Sequence, residues 1–311
     1  MNFNDDDGSL HLNFIWKEDC NAILRDALLC TGGKCKVLTY DIARTGHINL
    51  KLVLNSLPPN IIKNIEKVIV YYLDYFTKVD DLVKVLPNLT QMYIHHGDAR
   101  YNNLSGDPRV MYNTVSIHGL DDLVTFGRCF QNGQGRYFPT LSMPNFDLCT
   151  ISDMHVVEMV QWALNGSQCK TLRFFGHFEE DAAIPMHIWK PFACAFAKTI
   201  IAGGSLFLHD LSEYTLCLVE YALQINVPQR VIFYYIGHSD QLVNLEKLLV
   251  STNYGDGRVV ECTFAHVNNV TVMRKDEYNA IMNIYQKLSQ PSKLKPVRET
   301  RDNVYFEIHD P

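Results

Sequence analysis

Residues 85–94, VLPNLTQMYI, join the end of a helix-like pattern to the start of a strand-like pattern, and this junction decides the fold. Before it, the apolar positions of DDLVKVLPN (residues 80–88) recur at the spacing of a short helix, which Pro87 can end. After it, LTQMYIHHGD (residues 89–98) has the composition of a strand. The sequence therefore predicts a unit of one short helix and one strand.

Strand-like segments similar to residues 89–98 recur along most of the chain. They are CKVLTYDI at 35, EKVIVYYLD at 66, MYNTVSIHGL at 111, YFPTLSMPNF at 137, KTLRFFGHF at 170, GSLFLHDLS at 204, QRVIFYYIGHS at 229 and RVVECTFAHVN at 258. The first core-facing residues of the nine strands are predicted to be Leu38, Val68, Met92, Val115, Leu141, Leu172, Leu206, Val231 and Val260. Consecutive positions lie 23 to 34 residues apart, so we interpret the segments as divergent repeats.

Apolar residues at helical spacing lie between these strands. Examples are SDMHVVEMVQWAL at 152, EYTLCLVEYAL at 213 and DQLVNLEKLL at 240. Asp153, Ser212 and Ser239 are predicted N-caps, and Asn165-Gly166 is a predicted helix stop. Because connections of this length join parallel strands, the sequence predicts an α/β protein with a parallel sheet and outer helices.

A parallel sheet of this kind can be a solenoid with a curved sheet or a doubly wound domain. The near-constant unit length favours a solenoid of about nine irregular units over residues 35–289. Residues 1–34 are predicted to supply an N-terminal cap helix within WKEDCNAILRDALLC, and MRKDEYNAIMNIYQKLSQ (residues 273–290) a charged closing helix. Residues 290–311 are predicted to be a C-terminal tail, in which VYFEI is either a frayed end or an added strand.

On VLPNLTQMYI, and on the looser copy LPPNIIKNIEKVIVYYLD at 57, the chain resembles leucine-rich repeats, over most of residues 35–270. The units look most like the divergent repeats of F-box/leucine-rich-repeat substrate receptors, although no F-box is evident in residues 1–34. This resemblance implies a non-enzymatic protein-protein interaction module. The implied role is a substrate-recognition subunit of a ubiquitin ligase or a similar adaptor.

Composition and charge restrict the partners that we expect. The formal charge of −6, from 28 basic and 34 acidic residues without a clustered Lys/Arg stripe, makes nucleic acid an unfavourable partner. No segment reaches the roughly 18 apolar residues of a membrane span, and the acidic start lacks the pattern of a secretory signal. With nine cysteines and no CxxC, we expect an intracellular protein, cytoplasmic or nuclear, with reduced thiols.

The side chains between the core-facing positions are predicted to line the concave surface. They are Tyr71, Tyr93, His95, His118, Arg173, Phe175, Phe207, His209 and Tyr234. Aromatic residues and Arg are common anchors of protein interfaces, so we predict that this face binds a protein partner. Because a one-residue slip reverses every face of a strand, the alternative is that these residues pack against neighbouring strands or under loops.

Motifs for catalysis or cofactor binding are weak, and we expect no catalytic residue, metal or cofactor. The run His95–Asp98 with His118 contains metal-ligand types, but adjacent histidines on a strand point to opposite faces. The run Thr31–Lys34 is predicted to be a turn, because Leu28 and Cys35 occupy positions where a phosphate loop needs Gly and Ser or Thr. GxSxG and HExxH are absent from the sequence.

Two alternative functions stay open at this point. The first is an α/β enzyme with a doubly wound sheet, whose active site at the carboxyl ends of the strands would use His95, Asp98, His118, His209 and Asp210. A closed pocket that gathers three of these residues would favour it. The second is a structural or host-interaction protein of a fast-diverging viral or parasite set. The sequence predicts no oligomeric state.

Overall fold

The computed structural model describes most of the first 233 residues and four later strands. The described ranges are 2–14, 19–42, 48–73, 77–101, 103–130, 136–177, 184–209, 212–226, 228, 230–233, 261–264, 270–274, 294–299 and 303–308. The chain divides into two compact units, Met1–Ser142 and Met143–Pro311. Several predicted features lie outside the described residues, namely Asp210, Tyr234, Ser239 and Val260, the helix at 240–249 and most of the helix at 273–290.

The described chain alternates strands with short helices, as the sequence predicts. The strands are β1 (Asn2–Asn4), β2 (Ser9–Phe14), β3 (Val37–Ile42), β4 (Lys67–Tyr72), β5 (Gln91–Asp98), β6 (Val110–Ser116), β7 (Tyr137–Asp147), β8 (Gln168–His177), β9 (Ile200–Leu208), β10 (Arg230–Phe233), β11 (Glu261–Phe264), β12 (Val270–Arg274), β13 (Leu294–Glu299) and β14 (Asn303–Ile308). The helices are α1 (Cys20–Cys30), α2 (Leu50–Ser56), α3 (Pro59–Ile62), α4 (Val79–Val85), α5 (Leu120–Phe130), α6 (Met154–Leu164), α7 (Met186–Ala197) and α8 (Glu213–Ile225). All nine predicted strands are present, as β3 to β11.

In the first unit the strands lie in chain order from β1 to the start of β7. From β2 onward each described pair is parallel, which confirms the predicted α/β class with a mostly parallel sheet. The sequence predicted only a helix in residues 1–34, whereas β2 adds a strand beside β3 and β1 pairs with β2 in an antiparallel hairpin. That hairpin turns at Gly8, which has φ of 70°.

One face of this sheet forms the core of the first unit. The core-facing residues Leu38, Val68 and Met92 lie beside one another in register and are fully buried. Their helical partners are the buried apolar residues of each amphipathic helix, such as Leu24 in α1 and Leu82 in α4. The helices therefore cover one face of the strands, and side chains of the other face are half-buried or exposed in much of β4, β5 and β6.

The alternation of buried and exposed residues shifts by one position within β5 and again within β6. In β6 the residues Val110 and Tyr112 face the core, then Val115 and Ile117 do. Val115 is fully buried as predicted, but its neighbour in register is Gly97, because Met92 pairs with Val110. The shift matters for function because it decides which side chains reach the open face.

The second unit contains the end of β7 followed by β8, β9, β10 and β11 in chain order. From β8 to β11 each strand is parallel to the next. The predicted core residues Leu172, Leu206 and Val231 lie in register and are fully buried. Their counterpart in β11 is Cys262, two residues later than the predicted Val260. Helices α7 and α8 pack on one another, and the aromatic core of this unit centres on Trp189 of α7.

The C-terminal residues of the second unit form a separate antiparallel sheet in the order β12-β14-β13. The predicted segment VYFEI lies in β14 and is a strand, paired with β12 on one side and β13 on the other. The segment is therefore a strand, but it lies in the middle of a separate sheet and is not added to the edge of the parallel one. Among the described helices the longest, α8, has 13 residues, so none of them can cross a bilayer.

The predicted helix ends agree with the structure. The Asp153 side chain accepts hydrogen bonds from the backbone N–H groups of His155 and Val156, and Ser212 Oγ accepts one from Thr215 N–H. Helix α6 ends at Leu164, and Gly166 follows with φ of 74°. A Ser or Asp at the N-cap satisfies N–H groups that have no partner inside the helix.

Candidate interaction face

Aromatic side chains gather on the open face of the first unit. Ile69 pairs with Tyr93 in register, which places Tyr71 beside His95 two residues later. The Tyr71 and His95 rings are stacked, with centroids 4.0 Å apart and an interplanar angle of 4°. Tyr93 meets the same imidazole edge-on, with centroids 5.0 Å apart. The structure therefore brings together three of the predicted binding residues.

Two further side chains extend this group across β6 and β7. Met111 is the neighbour of Tyr93 in register, and Tyr137 of β7 lines the same pocket as Met111. We call Tyr71, Tyr93, His95, Met111 and Tyr137 the open-face cluster. Tyr71 is 37% exposed, Met111 39% and Tyr137 52%, although all three have large apolar side chains. Aromatic residues and Met clustered on one face are typical of protein interfaces.

A pocket of about 690 Å³ adjoins the open-face cluster at the amino ends of β6 and β7. Tyr93, Met111 and Tyr137 of the cluster line it. Further lining residues include Pro108, Phe130 and Arg136. The pocket thus has mostly apolar walls and one guanidinium group, a combination found in ligand and peptide sites.

Contacts with the backbone and with one ring hold the Arg136 side chain in place. Its Nη1 donates to Ser105 O at 3.1 Å, Nη2 donates to Gly106 O, and Cζ lies 4.8 Å from the centroid of the Phe130 ring. Burial lowers the pKa of Arg136, partly offset by Tyr112 and Asp107. The group remains a cation at physiological pH, because an arginine pKa lies far above 7.

His118 lies apart from the open-face cluster, at the carboxyl ends of β5 and β6. Its Nε2 is 3.3 Å from Asp98 Oδ2, and Arg100 Nη2 donates to that oxygen at 2.9 Å. Burial acts to raise the pKa of Asp98, but the hydrogen bond and charge of His118, together with Arg100, lower it below its usual value. The carboxylate is therefore ionised and already engaged by two neighbouring side chains.

A second buried carboxylate supports the start of α5 near His118. Asp122 Oδ2 accepts a hydrogen bond from the backbone N–H of His118 at 2.8 Å, one residue before the Gly119 carbonyl that accepts the first hydrogen bond of the helix, and this caps the start of α5. Burial raises the pKa of Asp122, the hydrogen bond from His118 N–H opposes this, and the charge of Asp98 raises it further. Asp122 therefore stabilises the start of α5, and the sequence analysis did not predict this role.

Replacing Asp122 with alanine is expected to lower the free energy of unfolding by about 1–2 kcal/mol, because the cap is lost. Asp122→Asn keeps an oxygen acceptor and removes the buried charge, so it should stay within about 1 kcal/mol of the wild type at pH 7. The folded pKa of Asp122 is raised, so this residue favours folding at low pH and loses that contribution as pH rises from about 4 through the folded pKa. The stability of Asp122→Asn relative to the wild type should therefore increase from pH 4 to pH 7.

Urea unfolding followed by circular dichroism at pH 4 and pH 7 measures both effects. Asp121→Asn, an exposed neighbour on the same turn, is the control, and it should change the free energy of unfolding by less than about 0.5 kcal/mol. An equal loss of stability in Asp122→Ala and Asp122→Asn would contradict the capping role.

The second unit holds the remaining predicted binding residues. Arg173 of β8 pairs in register with Phe207 of β9, and its Cζ lies 5.4 Å from the Phe207 ring centroid. Arg173 is exposed and Phe207 half-buried, which agrees with a position outside the core. Phe175 is half-buried and His209 exposed, and Tyr234 lies outside the described residues.

Sequence reasoning missed Met111, Arg136 and Tyr137 for an identifiable reason. Counting by twos from the predicted core residues Val115 and Leu141 assigns Met111 and Tyr137 to the core side. The one-residue shift in β6 reverses that assignment, and in β7 the first two buried residues, Phe138 and Leu141, are three positions apart. Strict alternation cannot detect such a shift.

The metal and enzyme hypotheses receive little support from the geometry. His95 belongs to the open-face cluster and His96 is exposed, and among the described residues no three His, Cys, Asp or Glu side chains are placed to hold a metal. Of the five residues proposed for an enzyme, only Asp98 and His118 are seen in contact within the described chain. Of these residues, the four that the structure describes, His95, Asp98, His118 and His209, do not line the pocket described above.

Comparison with protein-family models, with curated proteins and with solved structures found no match. The resemblance to leucine-rich repeats therefore remains a prediction. The function has to be inferred from the geometry of the open face and its pocket.

Proposed function

We propose that this chain is a non-enzymatic protein-interaction module of leucine-rich-repeat-like units, and that its first unit binds a partner protein through the open-face cluster. The observation that carries the proposal is the set of large apolar side chains on the open face, with Tyr71, Met111 and Tyr137 between 37% and 52% exposed. Burying such side chains against a partner removes apolar surface from water, which stabilises a complex.

The arrangement of the strands supports the repeat architecture. Within each unit the parallel strands follow one another in chain order, without the reversal that marks the ligand crevice of a doubly wound sheet. In the first unit the helices cover one face of the sheet, whereas a doubly wound domain covers both faces. A solenoid leaves such a face free for recognition, and within this class the repeat pattern implies a substrate-recognition subunit or a similar adaptor.

A protein is the partner that the cluster suits best. The Tyr71 and His95 rings offer a flat, half-buried platform, and Met111 can adapt its shape to a partner side chain. A phosphate backbone would require several clustered cations, but the open-face cluster contains none and the chain has a net charge of −6. The partner is therefore expected to present apolar or aromatic side chains.

The test is affinity purification of the tagged chain from its native cells, comparing the wild type with Tyr71→Ala/Tyr93→Ala. A stoichiometric partner should co-purify with the wild type and be lost in the double variant, because each anchor is expected to contribute at least about 2 kcal/mol, roughly 30-fold in affinity. The matched control is Leu52→Ala, which removes a 62% exposed apolar side chain from α2.

Circular dichroism should show that all variants are folded, since both tyrosines lie outside the core. A partner that binds the double variant as tightly as the wild type would contradict the proposal. The absence of any stoichiometric partner would contradict it as well. A ubiquitin-ligase adaptor among the partners would support the more specific role.

A further inference from the structure

The pocket beside the open-face cluster contains one cation, Arg136, that forms no ion pair with a described residue. Among the described residues, no carboxylate oxygen lies within 4 Å of the Arg136 guanidinium. The acid whose charge influences it, Asp107, is held by Arg109 through two hydrogen bonds of 3.0 and 2.8 Å. Residues 131–135, which precede Arg136, read QNGQG and contain no acid.

Two ionisable groups of the pocket, Tyr112 and Cys129, are neutral at physiological pH. Burial raises the pKa of Tyr112 and of the Cys129 thiol, so neither supplies a negative charge. Arg136 donates to two backbone carbonyls, whereas a guanidinium has five N–H groups. Donors thus remain for a ligand, and a partly desolvated cation strengthens a hydrogen bond with an anion.

The apolar and aromatic residues that line the pocket indicate which class of anion fits it. Met111, Phe130 and Tyr137 are apolar or aromatic, and Pro108 and Pro139 add rigid apolar surface. A phosphate group carries more charge than one guanidinium can balance and has no apolar part to fill the remaining volume. A single carboxylate joined to an apolar group matches both the charge and the walls, and 690 Å³ accommodates a ligand of that size.

We propose that this pocket binds a carboxylate that adjoins an apolar or aromatic group, with the carboxylate at Arg136 and the apolar group against Met111, Phe130 and Tyr137. This inference rests on the proposed function in one respect: in the partner protein, the ligand is a C-terminal or side-chain carboxylate next to an apolar residue. The partner thereby gains a fixed orientation, since one end of its anchor is charged and the other apolar.

Three small probes test the pocket without any partner protein. N-acetylphenylalanine carries a terminal carboxylate, N-acetylaspartylphenylalaninamide carries a side-chain carboxylate, and N-acetylphenylalaninamide carries none. In titrations followed by saturation-transfer NMR, at least one carboxylate probe should bind about tenfold or more tightly than the uncharged amide. The carboxylate probe that binds with the higher affinity shows whether the pocket prefers a terminal or a side-chain carboxylate.

Two variants of the pocket and one control make the test specific. Arg136→Gln should reduce carboxylate binding to the level of the amide, and Tyr137→Ala should weaken all three probes. Tyr137 is 52% exposed, so its removal leaves the core intact even if Arg136→Gln folds poorly. Arg128→Gln removes an exposed cation from the last turn of α5 and should change nothing.

Equal binding of the carboxylates and the amide would overturn the proposal, as would carboxylate binding that neither pocket variant weakens. The outcome of the probe experiment can be distinguished from that of the partner experiment. Probe binding at Arg136 in a chain that has no protein partner would support the carboxylate pocket and contradict the proposed interaction module. Partner binding that is lost in Tyr71→Ala/Tyr93→Ala, together with no carboxylate preference among the probes, would support the interaction module and overturn the carboxylate pocket.

Discussion

Replacing Trp189 with alanine is expected to lower the free energy of unfolding of the second unit by about 3–5 kcal/mol. The indole is fully buried in α7, and its ring centroid lies 4.9 Å from that of Phe192 and 6.1 Å from that of Phe174 on β8. Its Nε1 also donates to the Tyr214 carbonyl of α8 at 2.9 Å. One side chain therefore joins two helices and the sheet, and its removal leaves a cavity and breaks the hydrogen bond between α7 and α8.

The measurement is urea unfolding followed by far-UV circular dichroism, so that it does not depend on tryptophan fluorescence. Trp162→Ala is the matched control, because Trp162 lies on α6 and is 40% exposed, and it should change stability by less than about 1 kcal/mol. Trp189→Phe should fall between the two, since it keeps a ring but loses the hydrogen bond. Equal losses for Trp162→Ala and Trp189→Ala would contradict the assignment of the core.

The strands β3 to β11 could be predicted because each combines β-branched and aromatic residues with a core-facing apolar side chain, and because a helical pattern separates it from the next. Strand β2 was missed because Ser9–Phe14 follows a run of three acids and has no helical pattern before it. Asp7-Gly8 was the available signal, since Gly8 turns the β1–β2 hairpin with positive φ. In β11 the register partner of Val231 is Cys262, whereas the predicted core residue Val260 lies outside the described residues.

The candidate site could be predicted from the sequence only where buried and exposed residues alternate strictly along a strand. Tyr71, Tyr93 and His95 precede the one-residue shift in β5, so counting by twos places them correctly on the open face. Met111 and Tyr137 come before the positions at which the alternation of buried and exposed residues shifts in β6 and β7. Counting by twos from Val115 and Leu141, which come after those positions, therefore assigns both to the wrong face. The position of Arg136 depends on the backbone carbonyls of Ser105 and Gly106, which no sequence pattern specifies.

The run Thr31–Lys34 is a turn between α1 and β3, as the sequence predicts, and its two glycines are expected to respond very differently to substitution. Both have positive φ, 58° at Gly32 and 85° at Gly33, where an L-residue is strained by about 1–2 kcal/mol. A Cβ on Gly32 would meet nothing within 4 Å, whereas a Cβ on Gly33 would lie 2.5 Å from the backbone oxygen of Asn60. The backbone at Asn60 lies in the first turn of α3 and cannot yield as a flexible side chain would.

Gly33→Ala should therefore lower the free energy of unfolding of the first unit by about 2–5 kcal/mol, the sum of conformational strain and overpacking. Gly32→Ala should cost about 1–2 kcal/mol, because only the strain applies. Urea unfolding of the two variants and the wild type in parallel measures the difference, and Gly32→Ala is the matched control for the strain shared by both. Similar losses in the two variants would show that the close approach of Gly33 to Asn60 does not constrain this turn. A phosphate-binding loop would instead make both glycines matter for ligand affinity, since each would have to let the backbone approach the anion.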